Sequence, residues 1–466
     1  MVAGEGKSRL SALLLELGKI LLTTLLRVLQ IPLFWLVILL VYLQYRRVAG
    51  MEQKFFGRII NPVGRQVAIS TGLGILAGIL ASAFMLLLGL SLSQIGLLYI
   101  WPVALLLLLI HPRFLCFSYA GGIVALAVLA LRHLVGPLFP AFAVMKLVAP
   151  LLEIHIPALL ALIGLLHLIE ALLIYLSGHR GSSPLYFKRA GGEVVGAFSL
   201  QKFWPIPLVA LLAMAIPEAE VQGVSMPEWW PLLKSTLELG PGETLQYMAL
   251  PVLAALGYSD MAFSSSPRQK SAGTARFLSI YSVALILLAL LAEFCPSLTL
   301  AGVLFAPLGH EAVINRGNRL ESSRESLYRA GAAGVPLMMV LPGSAAESAG
   351  LRSGDLVQRV NGAPVSSDLD LLRKIDESYF MVLIEGLRGG GGLSVVLNKR
   401  RPGGQDAADP FAQAGLPAAT AAPLWHRGAA LGLIPAPSSQ TPIYARERRA
   451  AGHSLLRRLR GRSRGS

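Results

Sequence analysis

The chain has 466 residues, of which 54% are hydrophobic types and only 14% are charged, and its mean hydropathy is +0.61. A soluble domain usually carries about 25% charged residues, so a single soluble globule is excluded and the part before about residue 310 is read against a bilayer. The formal charge is +15, but Lys and Arg gather between apolar runs and near the end of the chain, which points to membrane orientation and lipid contact rather than nucleic-acid readout.

Taken in chain order, residues 9–28 place Leu13, Leu14, Leu17, Ile20, Leu21, Leu25 and Val28 at three- and four-residue spacing, with Glu16, Lys19 and Arg27 between them. That pattern predicts an amphipathic N-terminal helix within residues 1–30, lying in the membrane interface or spanning. No small-residue cleavage site follows it, so no secretory signal is expected there.

A multi-pass transmembrane domain is expected over 31–310. Its first span runs over 31–45, followed by Arg46, Arg47, Lys54, Arg58 and Arg65. No Asp, Glu, Lys or Arg occurs in 66–112, a stretch long enough for two crossings at about 20 residues each. Gly89, Ser91, Ser93 and Gln94 mark the turn between them. Further spans are predicted at 114–131, 156–176, 277–291 and 298–308. Two shorter runs, 205–216 and 245–258, are interrupted by proline and flank a stretch with Glu218, Glu220, Glu228, Glu238 and Glu243. Each is read as a short span, a re-entrant segment or half of a tilted pair. Counting every run gives nine crossings after residue 30, or ten if the first helix spans. The basic loops 46–65, 179–189 and 268–276 then share one side with everything after residue 308, and the acidic loop takes the other. The positive-inside rule makes the basic side, and with it the C-terminal third, cytoplasmic.

Beyond residue 320 charged residues return. Residues 335–365 read VPLMMVLPGSAAESAGLRSGDLVQRVNGAPV. An apolar run of strand length closes at Pro342-Gly343, a helical turn at 345–349 stops at Gly350, and Asn361-Gly362 is a strong two-residue hairpin signal. Ser366 or Ser367 caps a helix reaching about Glu377, with Leu369, Leu372 and Ile375 near one face. Strands at 380–385 and 393–397 complete a small α+β unit. The fold class is therefore a polytopic α-helical membrane domain followed by a small α+β domain. From residue 402 to 466 the chain is rich in Ala, Pro and Gly, and a disordered tail is expected. It ends with Arg446, Arg448, Arg449, Arg457, Arg458, Arg460, Arg462 and Arg464, a basic contact for anionic lipids or a solvated tail.

The run PGSAAESAGLRSGDLVQRVNGAPV resembles the bacterial type of PDZ domain, and the resemblance covers roughly residues 322–400. It implies β-augmentation, in which a partner's C-terminal or internal segment adds as a strand beside 335–340. The peptide carboxylate would rest on backbone N–H groups of the 330–335 loop, with Ala330, Gly331, Gly334 and Val335, where AGAAG stands in place of the animal-type GLGF. Leu369 and Leu372 would form the opposite wall. Either Leu337 and Met339 or Pro336 and Met338 would face the groove, depending on register. A groove filled by the chain itself is the alternative. Several spans followed by one such module also resemble the MinJ-like division-site topology proteins of Gram-positive bacteria. That likeness implies a membrane-embedded scaffold in cell-division site placement, with division or polarity proteins as partners.

Four ionisable groups fall within apolar runs: His167 and Glu170, three apart on one helix face, and His310 and Glu311. Such groups at membrane depth suggest a metal site, a proton relay or a helix-locking hydrogen bond. A membrane metalloprotease would need H-E-x-x-H, but the chain reads His310-Glu311-Ala312-Val313-Ile314. Ser-His-Asp, Gly-x-Ser-x-Gly and phosphate-loop patterns are missing too. No catalytic residue, cofactor or nucleic-acid partner is therefore expected, and an atypical intramembrane protease and a transporter are the rivals to the scaffold. The two cysteines, Cys116 and Cys295, make neither a disulfide framework nor a zinc spacing and are read as small buried hydrophobes.

Overall fold

The computed structural model describes residues 2–135, 148–189, 191–222, 224, 226–399, 423–442 and 445–446. Helix α1 spans Val2–Gln30 and turns at Ile31 into α2, Pro32–Phe56. Then follow α3 (Val63–Leu88), α4 (Leu97–Ile110), α5 (Phe117–Ala130, continued by a π turn over Leu131–Val135), α6 (Ile156–Ser177), α7 (Pro267–Phe294) and α8 (Thr299–Ser322). Six of these segments are long and apolar enough to cross a membrane; α4, with 14 residues and Pro102 inside it, is shorter. The expected turn between the second and third crossings is present: Gly89 ends α3 at φ 71°, and a 3₁₀ turn covers Leu92–Gln94. Helix α6 is central, and every residue from 156 to 167 is buried.

The two proline-interrupted runs are not helices. They belong to one long hairpin, β2 (Val194–Pro217) and β3 (Glu243–Ala262), paired antiparallel along its whole length from Phe198↔Ala262 to Pro217↔Glu243. The reason is local. Pro205 and Pro207 remove two amide donors and drive Trp204 and Ile206 towards extended backbone. Such prolines fit only an edge whose N–H side carries no ladder. That edge of β2 faces α3. Among its other outward donors, Val209 N–H bonds Ser82 Oγ at 2.8 Å, Ala213 N–H bonds Ser91 Oγ at 2.9 Å and Phe203 N–H reaches the Tyr45 hydroxyl at 3.4 Å. Hydroxyls and prolines thus settle a strand edge that hydrocarbon would not tolerate.

Small residues let the strand approach. A Cβ on Gly74 would stand 2.0 Å from the Pro205 carbonyl oxygen, and one on Gly78 2.0 Å from that of Pro207. The spacings match: four helical residues advance about 6 Å and two strand residues about 6.6 Å. Positions 74, 78 and 82 therefore keep step with 205, 207 and 209.

The hairpin runs from one end of the helix bundle to the other. Its tip lies with the start of α6 and the ends of α3 and α7: Leu233 N–H donates to Leu88 O at 3.1 Å, Gln94 bonds Thr236, and Glu293 meets His155. Its open end lies with the α2–α3 loop and the end of α8. There Glu52, 1% exposed, accepts from Ile60 and Asn61 amides and from Ser183 Oγ, and Glu321 accepts from the amides of Phe263, Ser264 and Ser265. The acidic loop and the basic loops thus occupy opposite ends of the bundle, and the two proline-interrupted runs join those ends as paired strands rather than as helices.

A sheet-rich unit follows α8: β4 (Val335–Val340), β5 (Leu356–Val360), β6 (Ala363–Pro364), α9 (Asp368–Glu377), β7 (Met381–Arg388) and β8 (Gly391–Asn398), with one helical turn at Ala345–Ser348. Ser367 caps α9 by accepting the Asp370 amide, and Asn361 and Gly362 both take positive φ, as the Asn-Gly signal requires. The tail also contributes: α10 (Leu424–Leu431), β9 (Leu433–Pro435) and β10 (Ala445–Arg446) are regular structure. The expectation of disorder over 402–466 therefore fails for this part, because Leu433, Ile434 and Ala436 find an apolar surface to bury against. Residues 401–422 and 447–466, including the arginine-rich end, lie outside the described residues.

Candidate functional site

Strand β4 is bordered by β5 on one side only, through Val335↔Val357 and Pro336↔Leu356. Its other edge is taken by β9, antiparallel, with Leu337↔Pro435, Met339↔Ile434 and Val340↔Leu433. The sheet order is β8-β7-β5-β4-β9, so a three-residue piece of the tail adds the outer strand. The flanking bonds are short: Leu341 N–H to Gly432 O at 2.9 Å and Ala436 N–H to Pro336 O at 2.7 Å.

The tail also bonds to the loop before β4 and to the start of α9. At the loop before β4, Ala330 N–H donates to the Pro437 carbonyl at 3.0 Å, so a tail carbonyl oxygen rests on the loop expected to hold a carboxylate. Gly331 and Gly334 exchange amide–carbonyl bonds in a tight turn, and a Cβ on Gly334 would stand 2.5 Å from Val357 O, so this turn needs glycine. At the α9 end, the buried Asp368 carboxylate accepts from Ser438 N–H at 3.1 Å, Ser438 Oγ at 2.7 Å and Thr441 Oγ at 2.7 Å. Arg427 pairs with Asp376 at 2.5 Å. Helix α10 lies on α9, with Gly428 so close that a Cβ there would be 2.5 Å from Leu372 Cδ2.

Most expected groove residues therefore meet the tail or the unit's own core. Val335 and Leu337 point into the core of the unit. Met338 and Met339 join the larger cluster shared with the membrane domain, where Met338 closes on Gly196. Leu372 is buried against α10, and Leu369 is half-buried. A bulge between Leu337 and Met339 breaks the simple alternation, and these two residues pack into different clusters.

The same tail segment reaches the membrane domain. The Tyr186 hydroxyl donates to Pro435 O at 2.8 Å, and Arg58 donates to Ala429 O at 3.2 Å. His426 packs on Gly57, where a Cβ would lie 2.8 Å from its ring, and burial pushes the His426 imidazole below its ordinary range.

The intramembrane polar residues divide. His167 and His310 come together, with ring centroids 5.0 Å apart, and are joined by Cys116, which sequence reasoning treated as a buried hydrophobe. Glu170 is not part of this group, and Glu311 turns to the Tyr119 hydroxyl at 2.6 Å and to Arg113 at 3.1 Å. Only the folded arrangement reveals Cys116, because its partners lie 51 and 194 residues away.

No protein-family model matches this chain. It is 23% identical over 366 residues to the cell division topological determinant MinJ of Bacillus subtilis (strain 168), a match that covers 77% of this chain and 86% of that protein. The chain thus resembles a division-site protein along most of its length, and its membrane-capable helices agree with a multi-pass membrane location.

Proposed function

We propose that this protein is a membrane-embedded scaffold in division-site placement, and that its C-terminal unit is a PDZ-like module binding partner peptides along β4. The observation that carries this reading is the seating of β9: a short extended segment adds to β4, and the chain after it leaves a carbonyl oxygen on the Ala330 amide. That is the geometry of β-augmentation. The occupying sequence, Leu433-Ile434-Pro435-Ala436-Pro437, indicates the ligand class: an extended, apolar segment without charge. In this reading partner segments compete with residues 423–441 for the groove. The basic end of the bundle, which carries the module, faces the cytoplasm, where division or polarity proteins supply such segments and the arginine-rich end meets anionic lipid.

The test uses a fluorescent synthetic peptide with the sequence of residues 423–441. Protein ending at residue 422, purified in detergent, is expected to bind it saturably, whereas the full chain binds it weakly because the site is filled. Absence of binding by a folded truncated protein would refute the groove. For the cellular role, a fluorescent fusion is expected to gather at division sites, and deletion is expected to displace septa. An even membrane distribution with normal septa would refute it.

A further inference from the structure

Cys116, His167 and His310 are brought to one point by three different elements. Cys116 is the residue before α5, His167 lies at the middle of the buried α6, and His310 is midway along α8. One ligand atom from each lies within 4.8 Å of the others. Cys116 Sγ is 3.1 Å from His167 Nε2 and 3.9 Å from His310 Nε2. We propose that these three side chains form a binding site for a borderline divalent transition ion, zinc in the first place.

The distances fit that ion. Zinc bonds of about 2.3 Å to sulfur and about 2.0–2.1 Å to imidazole, at tetrahedral angles, separate sulfur from nitrogen by about 3.6 Å. The two observed sulfur–nitrogen separations bracket this value. The ring orientations fit as well. His167 Nδ1 lies 2.7 Å from the Ile163 carbonyl, which only accepts, so Nδ1 carries the hydrogen and Nε2 turns its lone pair to the sulfur. This is the outer-shell arrangement that fixes a metal-binding histidine.

A second observation points to a missing ligand. His310 Nδ1 is buried and has no hydrogen-bond partner, and its Nε2 is too far from the sulfur for a strong hydrogen bond. A polar ring at this depth is therefore poorly satisfied by the protein, and an ion at Nε2 would give it one strong bond. Binding exchanges the thiol proton for the metal, S–H plus M²⁺ giving S–M⁺ and H⁺. The Tyr281 ring lies 5.7 Å from that of His167 and 5.8 Å from that of His310, and Tyr119 lies 5.4 Å from His310, so aromatic walls surround the three donors. Glu311 is engaged by Tyr119, Arg113 and Asn315, which leaves the fourth position to water. An ion held here would tie α5, α6 and α8 together.

The test is titration of full-length protein, stripped with chelator and placed in lipid nanodiscs, with Co²⁺ and then Zn²⁺. One cobalt per chain is expected, with the intense visible bands of a tetrahedral site, a near-ultraviolet sulfur-to-cobalt charge-transfer band, and displacement by zinc. Cys116→Ser should abolish the charge-transfer band and Cys295→Ser should keep it, since Cys295 is exposed beside Ser297. His310→Gln should weaken binding at least about tenfold. Absence of the charge-transfer band in the wild type, or its loss in Cys295→Ser, overturns the proposal even if Cys116→Ser fails to fold. Unchanged cobalt affinity in His310→Gln overturns it as well.

Discussion

Replacing Ile434 by Asp tests whether the tail segment is a separable occupant of the β4 edge. Ile434 is 0% exposed and sits opposite Met339 in the β4–β9 ladder. Withdrawing a branched apolar side chain from such a place forfeits about 1.5–3 kcal/mol, and a carboxylate there has no partner, which adds to the loss. The segment's opening free energy should fall by at least about 2 kcal/mol, or roughly thirtyfold in amide protection if opening is local. Hydrogen–deuterium exchange on the full chain in nanodiscs reads this directly. Peptides covering Val335–Val340 and Leu424–Pro435 should lose protection together, while those covering β7 and β8 keep theirs. Unchanged protection over β4 would mean that β9 does not shield it. An equal loss over β7 and β8 would mean that the tail is an inseparable part of the unit's core. Either result refutes the separable-occupant reasoning.

Ser82→Ala removes the acceptor of Val209 N–H and should destabilise the protein by about 1–3 kcal/mol, read as a lower thermal midpoint in detergent. Gly78→Val drives a side chain into the Pro207 carbonyl, 2.0 Å from the added Cβ, and should abolish the monodisperse peak in size-exclusion chromatography. Docking of the tail should weaken as pH falls below about 6.5, because burial holds the docked His426 below its ordinary range while the released imidazole protonates freely. The sign follows from the depressed value: the contribution is present above the released pKa and is lost as pH falls through the docked one. Exchange of the 424–435 region at pH 5.5 and 7.5 checks this, and His426→Phe should flatten the difference.

The sequence by itself determined the membrane class, the membrane-capable helices, the turn at Gly89–Gln94 and the order of elements in the C-terminal unit. Those features are written in local chemistry: runs without charge, Asn-Gly at a hairpin, and serine before α9. It also determined that charge is divided between two ends of the bundle. The strand nature of 205–216 and 245–258 was half legible, since Pro205 and Pro207 forbid a regular helix, but nothing local says that Gly74, Gly78 and Ser82 on another element accept that edge. Composition argued against order in the tail, because low-complexity sequence buries little on its own. Leu433 is buried in the core of the C-terminal unit and Ile434 in the cluster shared with the membrane domain, surfaces that only the folded chain supplies. The outer edge of β4 is thus paired by a piece of the tail, and Cys116 lies beside His167 and His310 rather than alone among apolar side chains. In each case the tertiary structure decided because the energy lies in contacts between residues far apart in the chain, which composition and periodicity do not carry.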